Sequence, residues 1–312
     1  MIAIVCPGQG SQTPGFLTPW LDLPGLREKA TAWSEATGAD LVLHGTVSDA
    51  DTIRDTAVAQ PLIVGAGLLA LDALYAGLPG SPTVATTAGV LAGHSVGEIT
   101  AAVATGVLTP EEGLGLVGVR GRAMAAASAL TPTGMSAVLG GDPQDVLDAL
   151  ASHGLTPANT NSTGQVVAAG TLAQLAALAA EPPAKTRVIA LSVAGAFHTV
   201  HMEPAVAALR EQADTITPHD PSTALLSNAD GQAVAAGAEV LTRLVSQVSN
   251  PVRWDLCMET MTALGVTGLL ELAPAGTLVG LAKRAMKGVE LVALKSPDDL
   301  DAARDLVARH SG

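Results

Sequence analysis

The 312-residue sequence predicts an α/β protein with a large discontinuous domain and a small inserted one. Three observations carry this. Short β-type runs alternate with longer helical stretches, the pattern of strands crossed by helices. The length exceeds what one hydrophobic core usually spans, so a smaller companion domain is expected. The stretch 131–193 has its own rhythm, strand–helix–strand–strand–helix–strand, which is the ferredoxin-like βαββαβ order. At roughly 60 residues it is near the lower end for a unit with its own core. On this division 1–130 and 194–312 form the large domain and 131–193 the small one.

In chain order, Ile2–Val5 reads as a strand running into a Gly-rich turn. Asp49–Ala59 reads as a helix. A second helix covers Leu62–Ala76, with Pro61 at its first turn. This is the best membrane candidate, but Asp72 interrupts it and the apolar run before that Asp is too short to span. It is therefore expected to be a buried helix. Val90–Gly93 is a strand leading through a turn to a helix from about Val96. Thr109-Pro110-Glu111-Glu112 opens another helix, with Thr109 as N-cap, Pro110 at the first position and Glu112 closing a capping box. Within the small domain, Met135–Leu139 is a strand and Asp142 caps a helix to Ser152. Thr156–Asn161 and Gln165–Ala169 pair around Ser162-Thr163-Gly164. Thr171–Ala180 is a helix ended by Pro182-Pro183, and Arg187–Leu191 is the last strand. Ser296-Pro297-Asp298-Asp299 opens the final helix, its carboxylates favouring the positive end of the helix dipole.

Composition narrows the function. Lys and Arg number 16 against 29 Asp and Glu, a net charge of −13, and aromatics are 2% of the chain. So acidic a surface repels a phosphate backbone and offers few rings for base stacking, which argues against nucleic-acid binding. At 48% hydrophobic and 14% charged, the chain has material for a sizeable core and is not disordered. Cys6 and Cys257 stand far apart and outside any CxxC pair, as expected of buried, inert thiols in a reducing cytoplasm. The N-terminus lacks a basic region and a long apolar one, so it reads as a strand and not a signal peptide.

The sharpest chemical signal is Gly93-His94-Ser95-Val96-Gly97-Glu98. It contains G-x-S-x-G between an apolar run and a helix-compatible stretch, the setting of a nucleophile elbow. With 33 Gly in the chain, chance supplies such a pentad in roughly one sequence in five, so the strand–turn–helix context carries the argument. Among seven His, His198 is the candidate base because it lies where the chain leaves the small domain and re-enters the large one. His94, adjacent to Ser95, is expected to be a structural hydrogen-bonder. His198-x-x-His201 with Glu203 can also be read as a metal site, but no Cys or further His completes a ligand set, so no metal is expected. Gly113-Leu114-Gly115-Leu116-Val117-Gly118 matches G-x-G-x-x-G inside a helix and not in a strand-to-helix turn. It is expected to serve close helix packing, not a dinucleotide.

With these residues in place, the sequence resembles the malonyl-CoA:acyl carrier protein transacylases of bacterial fatty acid synthesis and the acyltransferase domains of polyketide synthases. The resemblance runs from Pro7 to about Lys287, with its motifs in the family's order. They are Pro7-Gly8-Gln9-Gly10-Ser11-Gln12, Ala59-Gln60-Pro61, Gly93–Glu98, Arg120-Gly121-Arg122-Ala123-Met124, Asn159–Gly170, Ala196-Phe197-His198-Thr199, Asn250-Pro251-Val252-Arg253-Trp254 and Gly280-Leu281-Ala282-Lys283-Arg284. It implies an α/β-hydrolase-like large domain with a ferredoxin-like insertion. It implies Ser95 as acylated nucleophile and His198 as general base and acid, oriented by the backbone carbonyl of Gln247. The backbone N–H groups of Gln9 and Val96 would form the oxyanion hole. Arg120 would hold the malonyl carboxylate, which needs a bidentate cationic partner in a partly dry cleft. Gln60, Asn159 and Asn161 would line the cleft or bond within it. Gly195-Ala196-Phe197-His198 is close to the His-Ala-Phe-His of malonyl-selective polyketide acyltransferases, with Phe197 crowding an extra methyl and Gly195 departing from the pattern. A pocket discriminates one methyl by only about 1–3 kcal/mol.

The expected substrates and partners are malonyl-CoA and acyl carrier protein. No bound cofactor and no membrane are expected, and the expected state is a cytoplasmic monomer. Two alternatives share these residues: a serine esterase or thioesterase using the same elbow, and an inactive scaffold that docks carrier proteins. Arg120 separates the first, since a general esterase needs no carboxylate clamp. Carrier proteins are typically acidic and CoA carries phosphates, so a basic rim hidden by the net charge is expected, with Arg122, Lys185, Arg187, Arg253, Lys283, Arg284 and Lys287 as candidates.

Overall fold

The computed structural model describes residues 1–311. Among the described residues ten strands form two sheets. They are β1 (Ile2–Cys6), β2 (Val90–Gly93), β3 (Thr133–Gly140), β4 (Thr156–Ser162), β5 (Gln165–Thr171), β6 (Thr186–Ala190), β7 (Ala224–Leu226), β8 (Val252–Arg253), β9 (Gly268–Glu271) and β10 (Glu290–Ala293). The first sheet runs β10-β9-β1-β2-β7 and is parallel throughout. Both of its faces are covered. Ile2, Ile4 and Cys6 of β1 enter one core, and Ala3 and Val5 enter another on the opposite face. That is the near-continuous apolar run a doubly covered parallel strand requires.

The second sheet has the order β6-β3-β5-β4-β8. Its first four strands, with helices Pro143–Ser152 and Leu172–Ala180, make the ferredoxin-like arrangement around Val138, Leu150, Val166 and Leu178. The fifth strand, β8, comes from far along the chain and pairs parallel with β4, Asn159 opposite Val252 and Thr160 opposite Arg253. No local pattern announces a two-residue strand.

Helix punctuation follows the sequence closely. Thr109 and Glu112 close a reciprocal capping box on the Pro110–Ser128 helix, Asp142 caps Pro143–Ser152, and Thr171 caps Leu172–Ala180. Two expectations are corrected. Asp49–Ala59 is not one helix: a 3-10 turn covers Thr52–Arg54, and a helix then runs Thr56–Ala76. Pro61 lies inside that helix and not at its first turn. The start moves because the Asp55 carboxylate accepts from the Ala57 N–H at 2.8 Å and caps the chain earlier. The proline is accommodated because this helix is buried along most of its length, so tertiary packing outweighs the missing bond. The helix is long and apolar enough to cross a membrane by composition alone, yet 78% of its most apolar window is buried inside the protein, as expected of a core helix.

The Gly113–Gly118 run lies in the Pro110–Ser128 helix. A Cβ on Gly118 would stand 2.2 Å from the Thr37 carbonyl oxygen, so this glycine permits close packing.

Candidate active site

The elbow is built by β2 and the helix Gly97–Ala104. Ser95 between them has φ of +53°, a left-handed conformation that L side chains adopt at a cost. The turn is too tight for side chains at its glycines: a Cβ on Gly97 would meet the Cys6 carbonyl oxygen at 2.2 Å, and one on Gly93 would meet the Gly97 backbone at 2.0 Å. The strained Ser95 peptide is held from outside. Its N–H donates to Asn228 Oδ1 at 2.8 Å, while Asn228 Nδ2 donates to the Gly93 carbonyl at 2.7 Å.

His198 arrives from the loop after β6, also in the left-handed region with φ of +62°. Its Nε2 is 2.7 Å from Ser95 Oγ, and its Nδ1 is 2.9 Å from the Gln247 carbonyl oxygen. A carbonyl can only accept, so Nδ1 carries the proton and the Nε2 lone pair faces the serine hydroxyl. The ring is 3% exposed. Burial, and then the Arg120 charge, pull its pKa down to about 3, so it stays neutral and able to accept a proton.

Arg120, 1% exposed, projects from the Pro110–Ser128 helix. Nη1 donates to Gln60 Oε1 at 2.6 Å and Nη2 to Gln247 Oε1 at 2.9 Å, with Nη2 also 3.4 Å from Ser95 Oγ. Two of the five guanidinium donors thus fix the group, leaving others beside the Ser95 hydroxyl that an anion could engage. Burial lowers the Arg120 pKa to about 10, so it remains a cation. Among the described residues no acceptor partners the backbone N–H of Gln9 or of Val96. Gln9 lies on the Pro7–Gln12 loop, which Gln9 and Gln12 tie to the carbonyls of Arg54 and Ile53. Gly8 packs this loop onto the elbow: a Cβ there would stand 2.9 Å from the His94 carbonyl oxygen.

The remaining candidates take clear places. His94 Nε2 is 2.9 Å from Asn161 Oδ1, and its ring meets Trp254 edge-on with centroids 5.7 Å apart. Asn159 is buried on β4 beside β8. Phe197 is buried directly before His198. Gly195 has a packing reason: a Cβ there would be 2.3 Å from Ser128 Oγ. Sequence reasoning missed Asn228 and the side chains of Glu98 and Gln247, which interlock beneath Ser95. Their only signals were a lone acid in the apolar Gly97–Ala104 helix and an Asn in the Ser227–Gly231 turn after β7.

A cleft of about 920 Å³ lies between the β4–β5 turn and the helices Trp254–Ala263 and Thr277–Ala285. Ser95, His198 and Arg120 do not line it, so volume alone would have pointed away from the reactive groups. Among the described residues no cluster of three or more His, Cys, Asp or Glu has the makings of a metal site. Cys6 and Cys257 are buried and unbridged, and burial pushes both thiols up, away from reactivity at neutral pH.

Comparison with known proteins places the chain in a family. The malonyl CoA-acyl carrier protein transacylase of Mycobacterium tuberculosis is 50% identical over 306 residues, covering 98% of this chain and all of the relative. The crystal structure of MCAT from Mycobacterium tuberculosis superposes with a TM-score of 0.93, covering 97% of this chain and 99% of that one. A type II PKS acyl-carrier protein in complex with its malonyl-transacylase, PlMCAT with AntF, gives 0.88 at 28% identity, covering 97% and 99%. The acyl transferase domain family matches residues 3–303, and this chain belongs to that family.

Proposed function

We propose that this chain is a malonyl-CoA:acyl carrier protein S-malonyltransferase that supplies malonyl units for fatty acid or polyketide synthesis. Ser95 Oγ attacks the malonyl thioester carbonyl as His198 Nε2 takes its proton. The tetrahedral oxyanion is held by the Gln9 and Val96 N–H groups at the start of the Gly97–Ala104 helix. The thioester bond breaks, CoA thiolate takes the proton from His198, and a malonyl-Ser95 ester remains. The carrier's phosphopantetheine thiol then gives its proton to His198 and attacks the ester. Ser95 leaves and recovers that proton. Each atom and proton is accounted for by the dyad and the two thiols, so no step calls for a metal or bound cofactor.

The observation that carries this reading is the buried Arg120 guanidinium beside Ser95 Oγ, at 3.4 Å. A cation held there suits an acyl group ending in a carboxylate and serves no purpose for a neutral ester. The names of the relatives point to the same substrate. Phe197, buried before the base, supports selection of malonyl over methylmalonyl groups. On the proposed division at 131–193, Asn161 of the small domain reaches His94 of the large one and braces the elbow, with Gln60, Asn159 and Asn161 as lining or supporting groups. A cytoplasmic monomer is part of the same reading.

The test is intact-protein mass measured after malonyl-CoA is added. A malonyl adduct on Ser95, discharged by carrier protein and absent in Ser95→Ala, is the expected result. No adduct, or hydrolysis that carrier protein leaves unchanged, overturns the transferase reading in favour of an esterase.

A further inference from the structure

Glu98 is the only charged residue of the Gly97–Ala104 helix and is 6% exposed. It lines a small cavity with Leu225, Leu226, Val240, Leu244 and Arg243. One carboxylate oxygen accepts from the Asn228 backbone N–H at 2.5 Å, and the other accepts from Gln247 Nε2 in a close contact. Asn228 is the residue whose side chain holds the Ser95 N–H. Gln247 is the residue whose carbonyl takes the His198 Nδ1 proton.

The Gln247 amide has only one orientation that satisfies its neighbours. Its oxygen must face Arg120 Nη2, 2.9 Å away, because guanidinium only donates. Its Nε2 then faces acceptors alone: the Ser95 carbonyl at 3.1 Å, Asn228 Oδ1 at 3.3 Å and the Glu98 carboxylate. Both Glu98 oxygens therefore meet donors, and a proton on either would meet another hydrogen. Burial pushes the Glu98 pKa up to about 8 even with its N–H donors and the Arg120 and Arg243 charges opposing, so the ionised form rests on the hydrogen-bond geometry. The ionised form is the one this network fits. Cys257 is the other titratable neighbour, and burial keeps its thiol protonated.

We propose that Glu98 is a positioning residue of the transfer reaction: through the Gln247 amide and Asn228 its carboxylate offsets the buried Arg120 charge and locks the carbonyl that orients His198. This rests on the transferase reading above. The carboxylate touches no substrate. In Glu98→Gln an amide N–H must face either the Asn228 N–H or Gln247 Nε2. Relief requires the Gln247 amide to turn over, which presents its N–H₂ to Arg120. Either way the residue that orients His198 is displaced, and Arg120 loses its counter-charge.

Two readouts test this. Labelling of Ser95 by a fluorophosphonate needs the Ser95–His198 pair but no malonyl group, and Glu98→Gln should slow it by about 10- to 100-fold. In malonyl transfer the same variant should lose kcat by a similar factor while KM for malonyl-CoA falls or holds, because the Arg120 charge is no longer offset. The exchange E98Q/Q247E restores an acceptor facing a donor across the same contact. It should recover at least tenfold of the lost kcat while raising KM, since a carboxylate then meets Arg120 directly. Labelling and kcat within twofold of wild type in Glu98→Gln overturn the proposal. If the single variant does not fold, the exchange decides alone: a folded, active protein supports the proposal, and an inert or unfolded one overturns it. A wild-type protein that transfers no malonyl, but whose labelling still slows in Glu98→Gln, refutes the transferase reading and leaves Glu98's role standing.

Discussion

At the scale of single residues, the site separates two jobs that a serine esterase would not need to separate. On the proposed mechanism the Ser95–His198 pair handles proton transfer and Arg120 handles charge, yet Arg120 also acts on His198. Its positive charge is the second cause, after burial, of the low His198 pKa. The imidazole therefore stays neutral well below the range of an ordinary histidine. The rate of Ser95 acylation should show no acid limb near pH 6.5; a limb with its midpoint there would mean that His198 is more hydrated than its 3% exposure implies. Linkage has the same sign. Between about pH 6.5 and the lowered value the unfolded chain binds a proton that the folded one does not, so His198's contribution to stability is full above pH 6.5 and is lost as pH falls. Arg120→Ala should cost malonyl transfer about 3 kcal/mol, roughly two orders of magnitude in kcat/KM, through loss of charge-assisted bonds. Acetyl transfer should lose far less, and its acid limb should move up towards the ordinary histidine range. Equal losses for both acyl groups would remove the clamp role. The pairing of Ser95 with His198 was foreshadowed locally, by the elbow pentad and by a His at the expected domain crossing. Gln247 was legible only through family register. The contacts of Glu98 and Asn228 were not legible, because their bonds join residues that are 130 positions or more apart.

At the scale of elements, capping chemistry made most helix starts readable, since a cap is a contact within four residues. What could not be read was a partner supplied from elsewhere: the packing that keeps Pro61 inside Thr56–Ala76, or the β4 edge that turns Val252–Arg253 into a strand. Glu271 is another case. It ends β9, is fully buried, and accepts from the N–H groups of Gly276, Leu278 and Val279 at 2.8–3.0 Å. A strand carboxylate thus serves as the N-terminal cap of the Thr277–Ala285 helix. Glu271→Ala would leave three donors without their acceptor and should cost about 3 kcal/mol in urea unfolding. A loss below about 1 kcal/mol would mean that water replaces the carboxylate. The elbow is equally intolerant. Gly97→Ala, whose methyl would sit 2.2 Å from the Cys6 carbonyl oxygen, should destabilise by about 2–3 kcal/mol or more and lower kcat as β1 and the helix are forced apart. An unchanged melting temperature would show that β1 yields easily.

At the scale of the whole molecule, the net charge of −13 opposes both an acidic carrier protein and the phosphates of CoA, so association depends on where the few cations are free. Many are spent. Lys29, Arg54, Arg243, Arg253, Arg304 and Arg309 are in ion pairs, and Arg122 donates to the Thr37 carbonyl at 2.7 Å. That takes Arg253 out of the candidate rim as a free charge; Arg122, exposed and bonded only to a neutral carbonyl, keeps its charge. Lys283, Arg284 and Lys287 are exposed in and just after the Thr277–Ala285 helix, and among the described residues none has an acidic partner. Arg284 reaches Gln165 on β5 at 3.2 Å and borders the cleft of about 920 Å³, with Lys283 and Lys287 close by in sequence. Reversing all three to Glu should raise KM for carrier protein about tenfold at low ionic strength, with the gap to wild type closing as salt screens the interaction over about 10 Å. Because a carrier protein is large and oriented by its field, the change belongs mainly to its encounter rate, and kcat at saturating carrier should hold. A triple variant whose carrier KM matches wild type at every salt concentration places docking on another face, with Lys185 and Arg187, both exposed, as the next cations to reverse.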